Sequence, residues 1–201
     1  MQDKKYHHGN LKEALIEAGL EILAESGLDG LSLRTCAARV GVSHTAPKNH
    51  FGSMNGLLTA IAARGYGYLA EWMRRDLPED ATRQQVRNAA LEGYVGFARA
   101  RPALFELMFS GGRTNRDDPD LKAGVMACFE TLRAASKDLD WDKANAPDAD
   151  LRAQVMSWSL VHGFAQLALA GKLDKEATKS LGILDVAPDF GFRDQAREGE
   201  P

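Results

Sequence analysis

The chain has 201 residues, 44% hydrophobic and 26% charged, enough for one sizeable globular domain or two small ones sharing a core. No apolar run approaches the ~20 residues of a membrane span, and the N-terminal MQDKKYHHGN lacks the apolar stretch of a secretory signal, so a cytoplasmic protein is expected. The net charge of −3 excludes a chain basic throughout but not a local basic face, and Cys36 and Cys128 fall on apolar helix faces as reduced, unreactive thiols.

Residues 1–9 read as a flexible arm whose Lys4, Lys5, His7 and His8 are available to a polyanion or simply solvated. No carboxylate or Cys completes a ligand set around the adjacent histidines, so no metal site is expected. Asn10 with Glu13 resembles a capping box, and Leu11, Leu15, Ala18 and Ile22 form the buried stripe of a first helix ending at Ser26-Gly27. Glu13, Glu17, Glu21 and Glu25, four residues apart, make an acidic ridge on its solvated side.

Leu28 to Phe51 reads as two short helices joined by a tight turn. Ser32 serves as N-cap, Leu33, Cys36, Ala37 and Val40 recur at helical spacing, and Gly41 stands where a helix C-terminus needs positive φ. Ser43 offers the next N-cap, so the second helix can begin at His44. This is either a helix-turn-helix or a helix–Gly–helix corner of any α-domain. No Asp or Glu occurs between Gly30 and Ala70, while Arg34, Arg39, Lys48 and Arg64 do, and a cationic surface free of carboxylates suits phosphate.

With its flanks the stretch becomes specific: Tyr6-His-His-Gly-Asn10, Gly27-Leu28, Leu31-Ser-Leu-Arg34, Val40-Gly-Val-Ser43 and Asn49-His-Phe51 resemble the N-terminal domain of a TetR-family transcriptional regulator. The match covers roughly residues 1 to 65. Trp158, His162 and Gly163 resemble the subgroup with a Trp-His-Gly signature in its C-terminal domain. The resemblance implies an all-α fold: a three-helix reading head joined by a long helix 4 to a helical bundle that binds ligand and dimerises. It also implies that Ser43–His50 is the recognition helix, entering the major groove while Ser32 and Arg34 meet phosphates. Thr45 and Asn49 are residue types that read base edges; His44 and His50 hold phosphates, pack beneath the helix or touch bases, and Phe51 belongs to the core. The acidic ridge of helix 1 would face away from DNA. The chain departs from the family at Lys48, where a Tyr is common, at Met54, where a Lys commonly opens helix 4, and at Asn55-Gly56. Two usual phosphate contacts are thereby lost and one cation is restored.

Helix 4 is expected from Ser53 to Leu77, with Gly65 and Gly67 permitting either bending or close packing. Pro78-Glu-Asp-Ala81 ends it and marks a boundary. With helix 4 assigned to the C-terminal helical part, the expected domains are 1–53, 54–186 and a loosely ordered tail 187–201. Further helices are predicted at Thr82–Ala100, Pro102–Ser110, Pro119–Leu139 and Asp150–Ala170, with a short one near Lys175–Leu184 and no strand pattern. Asp118 supplies an N-cap before Pro119, and Asp140–Asp150 reads as a solvated acidic loop.

The Asp150–Ala170 helix is apolar nearly all round: Leu151, Val155, Trp158, His162, Ala165 and Leu169 on one face, Met156, Leu160, Gly163, Leu167 and Ala170 on another. One face fits the domain interior. The resemblance gives the other to the same helix and the Pro119–Leu139 helix of a second subunit. Trp72, Phe97, Phe105, Met108, Phe109, Trp158, His162 and Phe164 are candidate walls of a pocket for a small apolar or aromatic effector, or simply core. The functional expectation is a homodimeric regulator, a repressor released from a palindromic operator by that effector. The alternative is a helical small-molecule sensor or interaction protein with weakened or lost specific DNA binding. No cofactor is expected. No nucleophile–base–orienter set or phosphate loop supports an enzyme.

Overall fold

The structure, a computed structural model, describes residues 11–141, 143–176 and 178–193. The helices are α1 (Leu11–Gly30), α2 (Leu33–Val40), α3 (Ala46–Phe51), α4 (Met54–Trp72), α5 (Arg83–Ala100), α6 (Pro102–Phe109), α7 (Pro119–Ser136), α8 (Ala149–Leu169) and α9 (Ile183–Val186). The fold is all-helical as expected, apart from one two-residue ladder that no alternation in the sequence announces: β1 (Leu139–Asp140) pairs antiparallel with β2 (Gly191–Phe192). The arm 1–9, the Asn10 cap and residues 194–201 lie outside the described residues.

The described residues form two compact units: those up to Tyr66 with Arg101–Gly124, and Gly67–Ala100 with those from Val125 on. α4 passes from one to the other between Tyr66 and Gly67, and α7 between Gly124 and Val125.

In the first unit the predicted end of helix 1 holds: Gly27 takes φ 65°, kinking α1 before a last turn. Leu15 and Leu23 are buried, and α2, α3 and α6 pack on α1. Gly56 solves a specific problem of approach. A Cβ there would lie 2.0 Å from the Phe51 carbonyl oxygen, so only glycine lets the first turn of α4 sit against the end of α3. The Asn55-Gly56 departure is therefore a packing feature. Gly65 likewise faces Met108 Sδ, 2.7 Å from where a Cβ would be, and the Tyr66 hydroxyl donates to the Met108 carbonyl at 3.0 Å. Asp118 caps α7 as expected, accepting from Leu121 N at 3.0 Å.

In the second unit α5 is the central helix, packed against α8 and α9. Thr82 and Gln85 form a capping box at its start, and at Gly93 a Cβ would lie 2.1 Å from the Trp72 carbonyl oxygen. α4 ends at Trp72, five residues before the expected end, with a looser turn continuing to Asp76 in the left-handed region. α7 stops at Ser136 because the chain reverses at Asp138, φ 59°. The short helix predicted near Lys175–Leu184 is instead a set of turns followed by α9. Residues 187–193, where a polar, turn-rich sequence predicts loose order, are tied down by two arginines one helical turn apart and a third at 193. Arg87 donates to Pro188 O at 2.9 Å, Arg83 lies over the Phe192 ring, and Arg193 donates to Asp150 Oδ1 at 2.5 Å.

α8 needs a correction. Its buried side is Ala153, Gln154, Ser157, Val161, Phe164 and Ala165, whereas Leu151 (57% exposed) and Val155 (48%) face out. Hydrophobicity alone misplaces the face, because small side chains let α8 approach closely and buried Gln154 is satisfied by donating to Phe129 O at 2.8 Å.

His162 is a hydrogen-bonded, half-buried side chain: Nδ1 lies 2.9 Å from the Tyr94 hydroxyl and its ring stands edge-on to Trp158. Burial pushes its pKa below the ordinary 6.5, so in that window the unfolded chain holds a proton that the folded chain lacks. Stability therefore falls as pH drops through 6.5, and the fall stops below the folded-state pKa. Denaturation at about pH 7.5 and about pH 5.5 should show this loss, and His162→Gln should remove its share; an unchanged pH difference in the variant would contradict the assignment.

Candidate nucleic-acid interface and small-molecule cleft

The helix-turn-helix is built by local rules. Ser32 caps α2 by accepting from Thr35 N at 3.0 Å, and Thr35 Oγ1 accepts from Ser32 N at 2.9 Å, a reciprocal box the sequence reading missed because Thr replaces the usual Glu. Gly41 takes φ 78° and donates to Ala37 and Ala38 carbonyls, ending α2 as expected. The recognition segment starts later than predicted, at Ala46, with a turn through His44 and Thr45. Pro47 has no N–H to give the Ser43 carbonyl, which takes Ala46 N at 3.0 Å instead, and the ladder resumes from Asn49 N to Thr45 O. Pro47 is buried, and so fixes which side of α3 faces out.

Of the eight residues predicted to meet DNA, Arg34, Ser43, His44, Thr45, Lys48, Asn49 and His50 are exposed. Ser32 is half-buried with its hydroxyl committed to the cap, and Ser43 and Thr45 hydroxyls lie 3.0 Å apart. The broader cationic surface is smaller than the sequence suggests. Arg39 forms a two-pronged pair with Glu25 (3.0 and 2.6 Å) and reaches Glu21 at 3.2 Å, and Arg64 pairs with Glu17 at 2.8 Å and with Glu13. The acidic ridge of α1 thus engages two of the four basic residues, holding Glu25 below the usual carboxylate range and raising Arg39. Arg34 and Lys48 remain exposed.

Both thiols are unreactive by environment: burial pushes Cys36 up to about 11 and Cys128 up to about 12.

The eight predicted pocket residues are divided between the two units. Phe105, Met108 and Phe109 belong to the first unit, with the Phe105 and Phe109 rings 4.7 Å apart and Phe109 edge-on to Tyr66 on α4. In the second unit Trp72 meets the Phe97 ring edge-on, Trp158 stands against Phe129 and His162, and Phe164 is buried. Phe97 and Phe164 are buried, whereas Trp72, Trp158 and His162 are half-buried. A cleft of about 460 Å³ in the second unit shares only Trp72 with the predicted set, running between the end of α4 and the Gln85–Gly96 side of α5. The Arg75 guanidinium covers the Trp72 ring at 3.8 Å, with Asn88 and Glu92 on the opposite wall. Sequence reading missed these polar lining residues, because none carries an apolar signal; the Gly93–Gly96 gap on α5 was the available hint.

No helix among the described residues is long and apolar enough to cross a membrane. Two family models match the chain: "Bacterial regulatory proteins, tetR family" over residues 15–61 and "Tetracyclin repressor-like, C-terminal domain" over residues 88–183. An uncharacterized HTH-type transcriptional regulator of Mycobacterium tuberculosis is 26% identical over 169 residues, covering 81% of this chain and 72% of that protein. A Rhodococcus sp. RHA1 protein of unknown function has a solved structure similar at TM-score 0.71 and 27% identity, over 92% of this chain and 93% of that one. A TetR variant of Acinetobacter baumannii AYE, solved in complex with minocycline, shares the fold at TM-score 0.53 and 23% identity, over 83% and 85% of the two chains. With the helix-turn-helix matched at one end and the helical domain at the other, the chain belongs to the TetR family of transcriptional regulators, a non-enzymatic family.

Proposed function

We propose that this regulator is a cytoplasmic homodimeric repressor that binds a palindromic operator and is released by a small effector carrying an aromatic or apolar group. The observation that carries the reading is the exposed set of Thr45, Lys48, Asn49 and His50 around buried Pro47. Its hydrogen-bonding groups suit base edges and its cation suits phosphate. In this reading Arg34 and the cap of Ser32 meet the backbone, and Ser43 and His44 flank the contact.

Dimerisation through α8 is supported by Leu151, Val155, Ser159, Gly163 and Leu167, exposed at four-residue spacing, with exposed Met126 on α7. No neighbour lies within 4 Å of a Cβ built at Gly163, which leaves room for a partner helix. The Trp158-His162-Gly163 arrangement fits this use, with His162 held inward and Gly163 outward. A second copy related by a two-fold axis then makes the operator palindromic.

The effector is proposed to act in the second unit, where the Trp72 indole offers a stacking surface beside Arg75, Asn88 and Glu92. The minocycline complex of the Acinetobacter protein supports a small-molecule effector. The two glycines of α4 differ in surroundings: Gly65 packs close against the Met108 and Leu104 side chains, whereas a Cβ at Gly67 would meet nothing within 4 Å. Gly67 is thus free to serve bending. An effector preferring the arrangement with misplaced reading heads weakens operator binding by the factor by which DNA weakens its own.

A second reading, a sensor with weak, sequence-blind DNA binding, draws on the engagement of Arg39 and Arg64 by α1. Fluorescence anisotropy against the duplex upstream of the chain's own gene and a scrambled duplex, across a salt series, separates the two. Tight binding to the first alone supports the repressor; equal, weak binding supports the sensor. Lys48→Ala should weaken binding to both duplexes and lower the salt slope by about 1 per subunit; an unchanged slope would remove Lys48 from the contact set.

A further inference from the structure

The loop between α6 and α7 belongs to the same compact unit as the helix-turn-helix and is fastened to the first turn of α4. Asn55 Nδ2 donates to the Arg113 carbonyl at 2.9 Å, and Asn115 N donates to Thr59 Oγ1 at 2.8 Å. That hydroxyl, on a buried residue, in turn donates to the Asn55 carbonyl at 2.7 Å. Two hydrogen bonds thus hold the loop backbone against the segment that comes after the recognition helix, the third fixing the Thr59 hydroxyl within α4, and Asn55 is four residues beyond Phe51.

Charge is sorted along this loop. Its carboxylates are engaged on the α7 side: Asp117 pairs with Lys122 at 2.9 Å, Asp118 caps α7, and Asp120 lies 3.8 Å from Lys12. Arg113 and Arg116 are exposed and form no ion pair with a described residue. The reading head, meanwhile, has two arginines engaged by glutamates. A pair of unengaged guanidiniums on a loop tied to the start of α4, the helix that follows the recognition helix, suits the negatively charged phosphates flanking its groove.

We infer that Arg113 and Arg116, on a loop outside the helix-turn-helix, bind the DNA phosphate backbone and supply the cations that Arg39 and Arg64 do not. The inference rests on the proposed DNA binding and extends it to a new surface. The contact is electrostatic and carries no base information, so it strengthens operator and non-operator binding alike. Asn55 and Thr59 are positioning residues: they hold the loop in place.

The test measures salt-dependent anisotropy of the wild type and of Arg113→Ala/Arg116→Ala on the upstream and scrambled duplexes. Two phosphate contacts per subunit predict a salt slope smaller by roughly 3 to 4 for a dimer, with affinity for both duplexes reduced by the same factor, on the order of 10 to 100. Arg113→Lys/Arg116→Lys should restore the slope, and Asn55→Ala should lower it in part. Both arginines are exposed, and far-UV circular dichroism verifies that the variants fold. A charge-matched pair in the other unit, Arg99→Ala/Lys143→Ala, should leave the slope unchanged.

The inference is overturned if the alanine pair keeps the wild-type slope, or if the charge-matched pair reduces it equally, which would make the effect one of net charge. A wild type that does not prefer the upstream duplex speaks against the operator reading. The slope on the scrambled duplex still decides the role of the loop, so the two failures are distinguishable.

Discussion

Replacing Gly56 by alanine should lower the stability of the first unit and reduce operator affinity together. The added Cβ would lie 2.0 Å from the Phe51 carbonyl oxygen and 3.0 Å from its carbon, and neither atom can rotate away as a side-chain end could. The first turn of α4 or the last turn of α3 must move. Overpacking of this kind costs about 1–3 kcal/mol, only partly offset by the ~1 kcal/mol that alanine gains over glycine in a helix. Because the clash falls on the residue that ends α3, the displacement reaches Lys48, Asn49 and His50 directly. A lost bidentate base contact is worth about 1–3 kcal/mol, so upstream-duplex affinity should fall roughly 10-fold or more while scrambled-duplex affinity changes little. Chemical denaturation and anisotropy on one preparation measure both effects. Wild-type stability with wild-type affinity would show that the α3–α4 approach relaxes without cost.

Val155→Glu combined with Leu167→Glu should leave the monomer folded and abolish the dimer. Both side chains are about half exposed, at 48% and 49%, so neither substitution buries a charge within one chain. In a two-fold pair of α8 helices they place four carboxylates in one apolar interface, where an unpaired buried charge costs several kcal/mol. Sedimentation velocity should report a monomer. Upstream-duplex affinity should fall by more than about 100-fold, because two linked heads bind far more tightly than one alone. A variant that still sediments as a dimer would move the interface off this stripe.

The helix-turn-helix was legible because its signals are local. Ser32, Gly41 and the periodic Leu33, Cys36, Ala37 and Val40 act within one or two turns, and each behaves as its residue type requires. The charges were not legible, because whether Arg39 and Arg64 are available depends on glutamates up to 51 residues away in sequence. The outward face of α8 was misread for a related reason. Hydrophobicity puts Leu151 and Val155 inside, but the side of α8 that is buried carries the small residues Ala153, Ser157 and Ala165, and α8 packs on α5. Of the aromatic residues proposed as a pocket wall, Phe97, Phe105 and Phe164 are buried, while Trp72, Phe109 and Trp158 are half-buried. The polar side of the cleft, with Arg75, Asn88 and Glu92, carries no periodic signal. The β1–β2 ladder is two residues long and joins positions more than fifty apart, below what any local pattern records.

If two copies of the exposed α3 face read one operator together, hydroxyl-radical footprinting of the upstream duplex will show two protected patches related by a dyad, on one side of the DNA, with centres about 10 base pairs apart. A single protected half-site, or uniform protection without symmetry, would contradict it.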